Sequence, residues 1–189
     1  MIGILGGTFD PPHNGHVALA RAALERLPID RLVALVAARP GHREATAADA
    51  STRLRLTEAA FAGLPAEILL DDHPFTADAV RRRRFGDAVF VVGADEGAAF
   101  PTWHDPEEVL RWVRLAVGTR SGYPPPDLAR YGDRVVSFEL DSPDVSSSEV
   151  RERVERGEPV DGLVPAAVAE AIAGLGLYRG YTGAETERT

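Results

Sequence analysis

The sequence predicts an α/β fold, a doubly wound parallel sheet carrying a helical C-terminal extension. Three observations predict it. Short apolar runs alternate with amphipathic stretches as far as residue 140, the pattern of successive β-α-β units. A glycine pair stands between the first run and the first amphipathic stretch, where such a sheet passes from strand to helix. Beyond residue 146 the apolar runs stop and helical spacing alone remains.

Each element follows in order. Residues 1–5 are an apolar run too short for a helix and read as a buried strand. Residues 6–16, Gly-Gly-Thr-Phe-Asp-Pro-Pro-His-Asn-Gly-His, form the turn that follows. Its glycines permit a tight turn and close approach to a ligand, and its prolines stiffen the chain before the helix. Residues 17–27 are amphipathic, 31–36 the second strand, 50–62 a helix and 67–70 the third strand. Residues 76–84 read as a helix with Thr76 as its N-cap. Residues 88–92 are a strand running into Gly93, and 106–112 a helix opening on Pro106, which suits a first turn. Residues 115–117 and 135–140 complete the strands, and 122–126 are a proline-rich loop within the same pattern. Residues 148–156 and 165–173 read as two helices stopped by Gly157 and Gly174. Residues 180–189 are polar, with little to bury, and are expected to fray as a flexible tail. The expectation is one domain over residues 1–179, a doubly wound Rossmann-like parallel sheet whose helical part spans about 146–179.

Composition narrows the function. A chain of 189 residues, 44% apolar and 26% charged, is ordinary for a globular protein with a sizeable core. It has no apolar run long enough to cross a membrane and no basic leader, so neither span nor signal peptide is expected. Cysteine is absent, which excludes disulfides, thiolate metal sites and cysteine nucleophiles. These features predict a cytoplasmic protein. The net charge of −8 disfavours nucleic acid as a partner. All 21 basic residues are arginine. Four of them, Arg81 to Arg84, close a predicted helix and read as a solvated helix end. A P-loop pattern is absent, which disfavours kinase and GTPase readings.

Three segments could carry chemistry. In the first, His13 and His16 are three apart and share one side of the first helical turn. A strand, a glycine turn and a helix start form an anion cradle, and imidazoles there suit phosphate. The second is Asp144-Val145-Ser146-Ser147-Ser148-Glu149-Val150-Arg151, in which Ser146 and Glu149 also make a capping box. The third is Val92-Gly93-Ala94-Asp95 with Phe100-Pro101-Thr102-Trp103, at a strand end where open α/β sheets bind ligands.

The first segment contains the pattern HxGH and resembles the signature of the nucleotidyltransferase superfamily. The full string GGTFDPPHNGH is similar to that of the bacterial nicotinate-nucleotide adenylyltransferases. The resemblance runs from Met1 to about Tyr178. It implies adenylyl transfer from ATP to nicotinate mononucleotide, giving deamido-NAD and pyrophosphate, with Mg2+ accompanying ATP. His13 and His16 would contact the ATP phosphates. Gly6, Gly7, Thr8, Phe9 and Gly15 would line the ATP side, and Asp10 the mononucleotide side. The second segment resembles the family's ISSTxxR signature, with Val145 for isoleucine and Ser148 for threonine. Ser146, Ser147 and Arg151 would then hold the triphosphate, with Arg151 joining the two histidines as catalytic. Gly93 and Asp95 match a GxD stretch that contacts ATP, and Trp103 matches a tryptophan that stacks on the pyridine ring. Phe75-Thr76 is similar to a tyrosine–threonine pair beside the pyridine carboxylate, with the tyrosine replaced. His42 and Arg43 match the end of a PPH-Lys/Arg loop, Arg43 toward phosphate, whereas Ala37 stands where asparagine is usual. Neighbouring readings are an adenylyltransferase for phosphopantetheine or nicotinamide mononucleotide, and a non-catalytic nucleotide-binding protein of the same fold. The GGTFDPPH string and the Thr102-Trp103 pair argue against phosphopantetheine, and both histidines with Arg151 argue against a non-catalytic protein. The metal has no predicted protein ligands.

Overall fold

The computed structural model describes residues 1–39, 46–120, 122 and 124–180. Its centre is a six-stranded sheet in the order β3-β2-β1-β4-β5-β6. The strands are β1 (Ile2–Gly7), β2 (Arg31–Ala37), β3 (Ala66–Asp71), β4 (Ala88–Gly93), β5 (Arg114–Arg120) and β6 (Val135–Leu140). Every neighbouring pair is parallel. Inner strands such as β2 and β4 are buried along most of their length, whereas the edge strands β3 and β6 mix exposed with buried positions. That contrast follows from helices covering both faces of a parallel sheet.

The helices are α1 (Asn14–Arg26), α2 (Ala50–Ala60), α3 (Thr76–Arg83), α4 (Ala94–Ala99), α5 (Pro106–Trp112), α6 (Ser147–Glu155) and α7 (Ala166–Leu175). Alternate strand residues enter opposite cores, as the two-residue period requires. Ile4, Val33, Phe90 and Leu115 join α3 and α5 on one face. Leu5, Ala34, Val91 and Ala116 join α1 on the other. A third cluster packs Val150, Val164, Val168, Ile172 and Tyr178 from the C-terminal part against Leu56 and Ala60 of α2.

Several elements differ from the sequence reading; β1 runs on through Gly6 and Gly7, and β5 through Arg120. Helix α1 starts at Asn14, three residues early, because His13 is extended (φ −136°, ψ 173°) and stands at the N-cap. Helix α7 runs through Gly174 and stops at Gly176, whose φ of 64° is left-handed. Glycine adopts that conformation without a Cβ clash. Helix α4 and the 3-10 turn Phe100–Thr102 were not expected. The hexapeptide Ala-Asp-Glu-Gly-Ala-Ala carries little apolar periodicity, and its Gly97 lies where a Cβ would come within 2.7 Å of Val117.

Candidate active site

The strand order reverses direction between β1 and β4, the topological switch point at which open α/β sheets bind ligands. The β1–β4 ladder ends at Ile4 and Phe90. Past that point β1 stays with β2 as far as Gly7, and β4 with β5 as far as Gly93. A crevice therefore opens over the C-terminal ends of the two strands. Gly6 and Gly7 form one lip and Gly93 the other.

The glycines earn their places by proximity and not by turning. Neither Gly6 nor Gly7 has a positive φ; the left-handed residue of this turn is Phe9, at 52°. A Cβ on Gly6 would come within 2.7 Å of Phe90 Cζ, and one on Gly7 within 3.1 Å of the Phe9 ring. A Cβ on Gly15 would sit 3.0 Å from the His13 imidazole. At Gly93 a Cβ would meet no protein atom within 4 Å, so protein packing does not demand glycine there. Phe9 is buried at 1% exposure, with its ring against His16 and Phe61. Its side chain belongs to the core, and only its main chain is left for a ligand.

The two histidines lie together, their ring centroids 3.7 Å apart. The His13 N–H donates to His16 Nδ1 at 3.1 Å. A ring nitrogen that accepts carries no proton, which places the proton of the neutral His16 ring on Nε2 as a donor. Burial lowers the His13 pKa from 6.5 to about 4. His13 is therefore neutral at physiological pH. Its Nδ1 is buried without a hydrogen-bond partner among the described residues.

The tertiary fold brings the second segment onto the first. Ser147 donates through Oγ to the Pro11 carbonyl at 2.8 Å, and Arg151 Nη1 donates to the Asp10 carbonyl at 2.7 Å. Ser146 caps α6 by accepting from the Glu149 N–H at 3.1 Å. The main-chain N–H of Asn14 donates to the Leu163 carbonyl at 2.8 Å, and its side chain donates to the Gly162 carbonyl at 2.7 Å.

Asp10 departs from the expectation of a mononucleotide contact. Its side chain is buried at 5% exposure. One oxygen accepts from the Ala47 N–H at 2.7 Å, the other from the Ala48 N–H at 3.1 Å and the Tyr178 hydroxyl at 3.0 Å. Beneath it Arg53 is fully buried and donates to the carbonyls of Thr8, Ala37, Ala38 and Ala48. Neither Arg53 nor Tyr178 stood out in the sequence. An arginine on an amphipathic helix reads as solvated, and Tyr178 lies 168 residues from its partner.

On the other side of the crevice, Asp95 is exposed in the first turn of α4. Trp103 is half-buried, edge-on to Phe90 and Phe100 at 5.9 and 5.2 Å. Phe75 stacks on His104 with centroids 4.1 Å apart, which brings the neighbouring residues Thr76 and Trp103 to one place. Phe75, not Thr76, is the N-cap of α3, and no side chain caps that helix. His42 and Arg43 lie outside the described residues. No group of three or more His, Cys, Asp or Glu side chains gathers into a metal site among the described residues.

Comparison with known proteins bears on the family and the fold. Residues 4–153 match the model of the cytidylyltransferase-like family. A protein of Gemmatimonas aurantiaca named a probable nicotinate-nucleotide adenylyltransferase is 38% identical, over 100% of this chain and 98% of its own. A Bordetella pertussis protein of the same name is 40% identical, over 94% of this chain and 98% of its own. Among solved structures, Plasmodium falciparum nicotinic acid mononucleotide adenylyltransferase complexed with APC shares the fold. Its TM-score is 0.75 at 14% identity, covering 94% of this chain and 96% of its own. The same enzyme complexed with NaAD gives a TM-score of 0.74 at 16% identity, with the same coverage of both chains.

Proposed function

This chain belongs to the cytidylyltransferase-like family, among its nicotinate-nucleotide adenylyltransferases, and from that membership we propose that it transfers the adenylyl group of ATP to nicotinate mononucleotide. The products are deamido-NAD and pyrophosphate, a step of NAD biosynthesis. A phosphate oxygen of the mononucleotide attacks the α-phosphorus of ATP. The new P–O bond forms as the bond to the bridging oxygen of the β-phosphate breaks, and no covalent enzyme intermediate is needed.

One observation carries the reading. The HxGH loop and the start of α6 are hydrogen-bonded together beside the crevice at the β1–β4 switch point. The reaction needs reactants held in line and charge offset on the transferring group. His16 supplies an N–H donor and His13 a neutral imidazole. Arg151 supplies a permanent positive charge, since guanidinium does not deprotonate in proteins. Ser146, Ser147 and the N–H groups of the glycine turn complete the phosphate side. Gly93 and Asp95 receive the nucleoside, and the open space beside Gly93 lets ATP approach the main chain. The residues at this phosphate site are donors and cations, not the hard anionic oxygens Mg2+ prefers, so they fit the phosphates and leave the ion to ATP oxygens and water. Magnesium accompanying ATP would offset triphosphate charge, while these residues hold the phosphates. Residues 1–179 act as one unit in this reading, because the C-terminal helices hold the phosphate loop.

The start of α3, which has no side-chain cap, supports nicotinate mononucleotide as the acceptor. Its first N–H groups and the Thr76 hydroxyl suit a carboxylate, and Trp103 offers the pyridine ring an aromatic face. A hydrogen bond to a charged group contributes roughly 1.5–3 kcal/mol, on the order of 10–150-fold in specificity. Specificity constants for nicotinate and nicotinamide mononucleotide, at fixed ATP and magnesium, test this. The expected ratio favours the acid by that factor. A ratio near one, or favouring the amide, overturns the pocket assignment. Turnover with phosphopantetheine alone overturns the function.

A further inference from the structure

We propose that Tyr178 is a positioning residue, whose hydroxyl acts through the Asp10 carboxylate to hold the HxGH loop in register with the start of α6. The proposal rests on the adenylyl-transfer reading for its kinetic consequence, but its structural content stands apart from that reading.

The loop between β1 and α1 is gripped from four directions. Arg53 of α2 holds the Thr8 carbonyl at 2.7 Å. Arg151 and Ser147 of α6 hold the carbonyls of Asp10 and Pro11. The turn before α7 accepts one hydrogen bond from the main chain and one from the side chain of Asn14, the first residue of α1. The fourth grip is on the Asp10 side chain, from Ala47 and Ala48 ahead of α2 and from Tyr178 beyond α7. Asp10 is thus held by both its main chain and its side chain, and C-terminal residues make one bond of each kind.

The surroundings of Tyr178 suit a dedicated contact. It is 6% exposed, beyond the end of α7, and its φ of 62° is left-handed. That conformation is costly for an aromatic residue and persists where neighbours over-determine it. Burial, and next the Asp10 carboxylate, push the phenol well above its usual pKa, so it stays an O–H donor across the working range. The buried negative charge of Asp10 is offset by Arg53, whose guanidinium bonds to carbonyls and not to the carboxylate. Asp10 therefore keeps its oxygens for the groups that set the loop's position.

Tyr178→Phe removes the hydroxyl and keeps the ring. A small misplacement of a reacting group costs up to about 10²-fold in rate, so kcat should fall by roughly 10–100-fold while KM for both substrates stays within about threefold. Amide exchange should quicken in residues 8–16 and stay at the parent rate in β4 and β5. Asp10→Ala removes the acceptor of the Tyr178 hydroxyl along with that of the Ala47 and Ala48 N–H groups, so its kcat loss should be at least as large, and the double variant should be no worse than Asp10→Ala alone, since the hydroxyl acts only through that carboxylate. Three outcomes overturn the proposal: a kcat within twofold of the parent, additive losses in the double variant, or faster exchange throughout the sheet. The exchange experiment needs no turnover. A parent inactive on both mononucleotides would refute the adenylyl-transfer reading and leave the Tyr178 proposal to the exchange result.

Discussion

Replacing His13 with glutamine removes a buried imidazole that the fold keeps uncharged. Burial holds its pKa at about 4 in the folded chain against 6.5 when solvated. Below pH 6.5 the unfolded chain takes up a proton here that the folded chain refuses, so stability falls as pH falls toward 4. The contribution is full above 6.5 and lost below 4. At about 1.4 kcal/mol per unit of difference, it is roughly 3 kcal/mol. For a chain of this size each kcal/mol moves the melting midpoint by about 2–4 °C. The parent should therefore lose about 6–12 °C more than His13→Gln on acidification across that window. The measurement is thermal or urea unfolding of the ligand-free protein at steps between pH 7.5 and 4. The carboxylates held low by hydrogen bonds, such as Asp49 with Ser51 and Thr52, lose their contribution below this window. The remaining histidines are common to both proteins and cancel. Parallel losses in parent and variant would show that the imidazole is not buried neutral, and the neutral role given to it at the phosphates would fail with it.

Other perturbations separate site from scaffold. His16→Ala should fold yet lose about 10²–10³ in turnover, the usual cost of one preorganised donor; a variant within about threefold of the parent removes His16 from the chemistry. Gly6→Ala drives a methyl to within 2.7 Å of Phe90 Cζ, and should cost about 1–3 kcal/mol as overpacking; an unchanged melting midpoint means the ring gives way freely. Gly93→Ala has open space around its new methyl, so the midpoint should hold while KM for ATP rises; an unaltered KM places ATP elsewhere.

Much of the candidate site was legible because its signals are local. Residues 6–16 and 144–151 are contiguous strings whose spacing already carries helix starts and phosphate chemistry. The strand cores at residues 31–36 and 88–92 were legible for the same reason, since burial on both faces writes a continuous apolar run. Signals that depend on neighbours were misread. The glycines of β1 looked like turn formers, but Phe90, from a strand adjacent only in the folded sheet, is what crowds Gly6. Gly174 and Gly176 offer the same residue type as a helix stop, and only backbone conformation chooses between them.

By itself the sequence determined the alternation of strands and helices, the family, the reaction class and the two candidate phosphate segments, because each is encoded over a few consecutive residues. Tertiary structure decided the rest. It closed Tyr178 onto Asp10 and turned that aspartate from an expected ligand contact into an anchor. It buried Arg53 among four carbonyls and took the charge from His13. Hydrogen-bond partners and desolvation are set by what the chain brings near in space, and in this fold those neighbours lie up to 168 residues away.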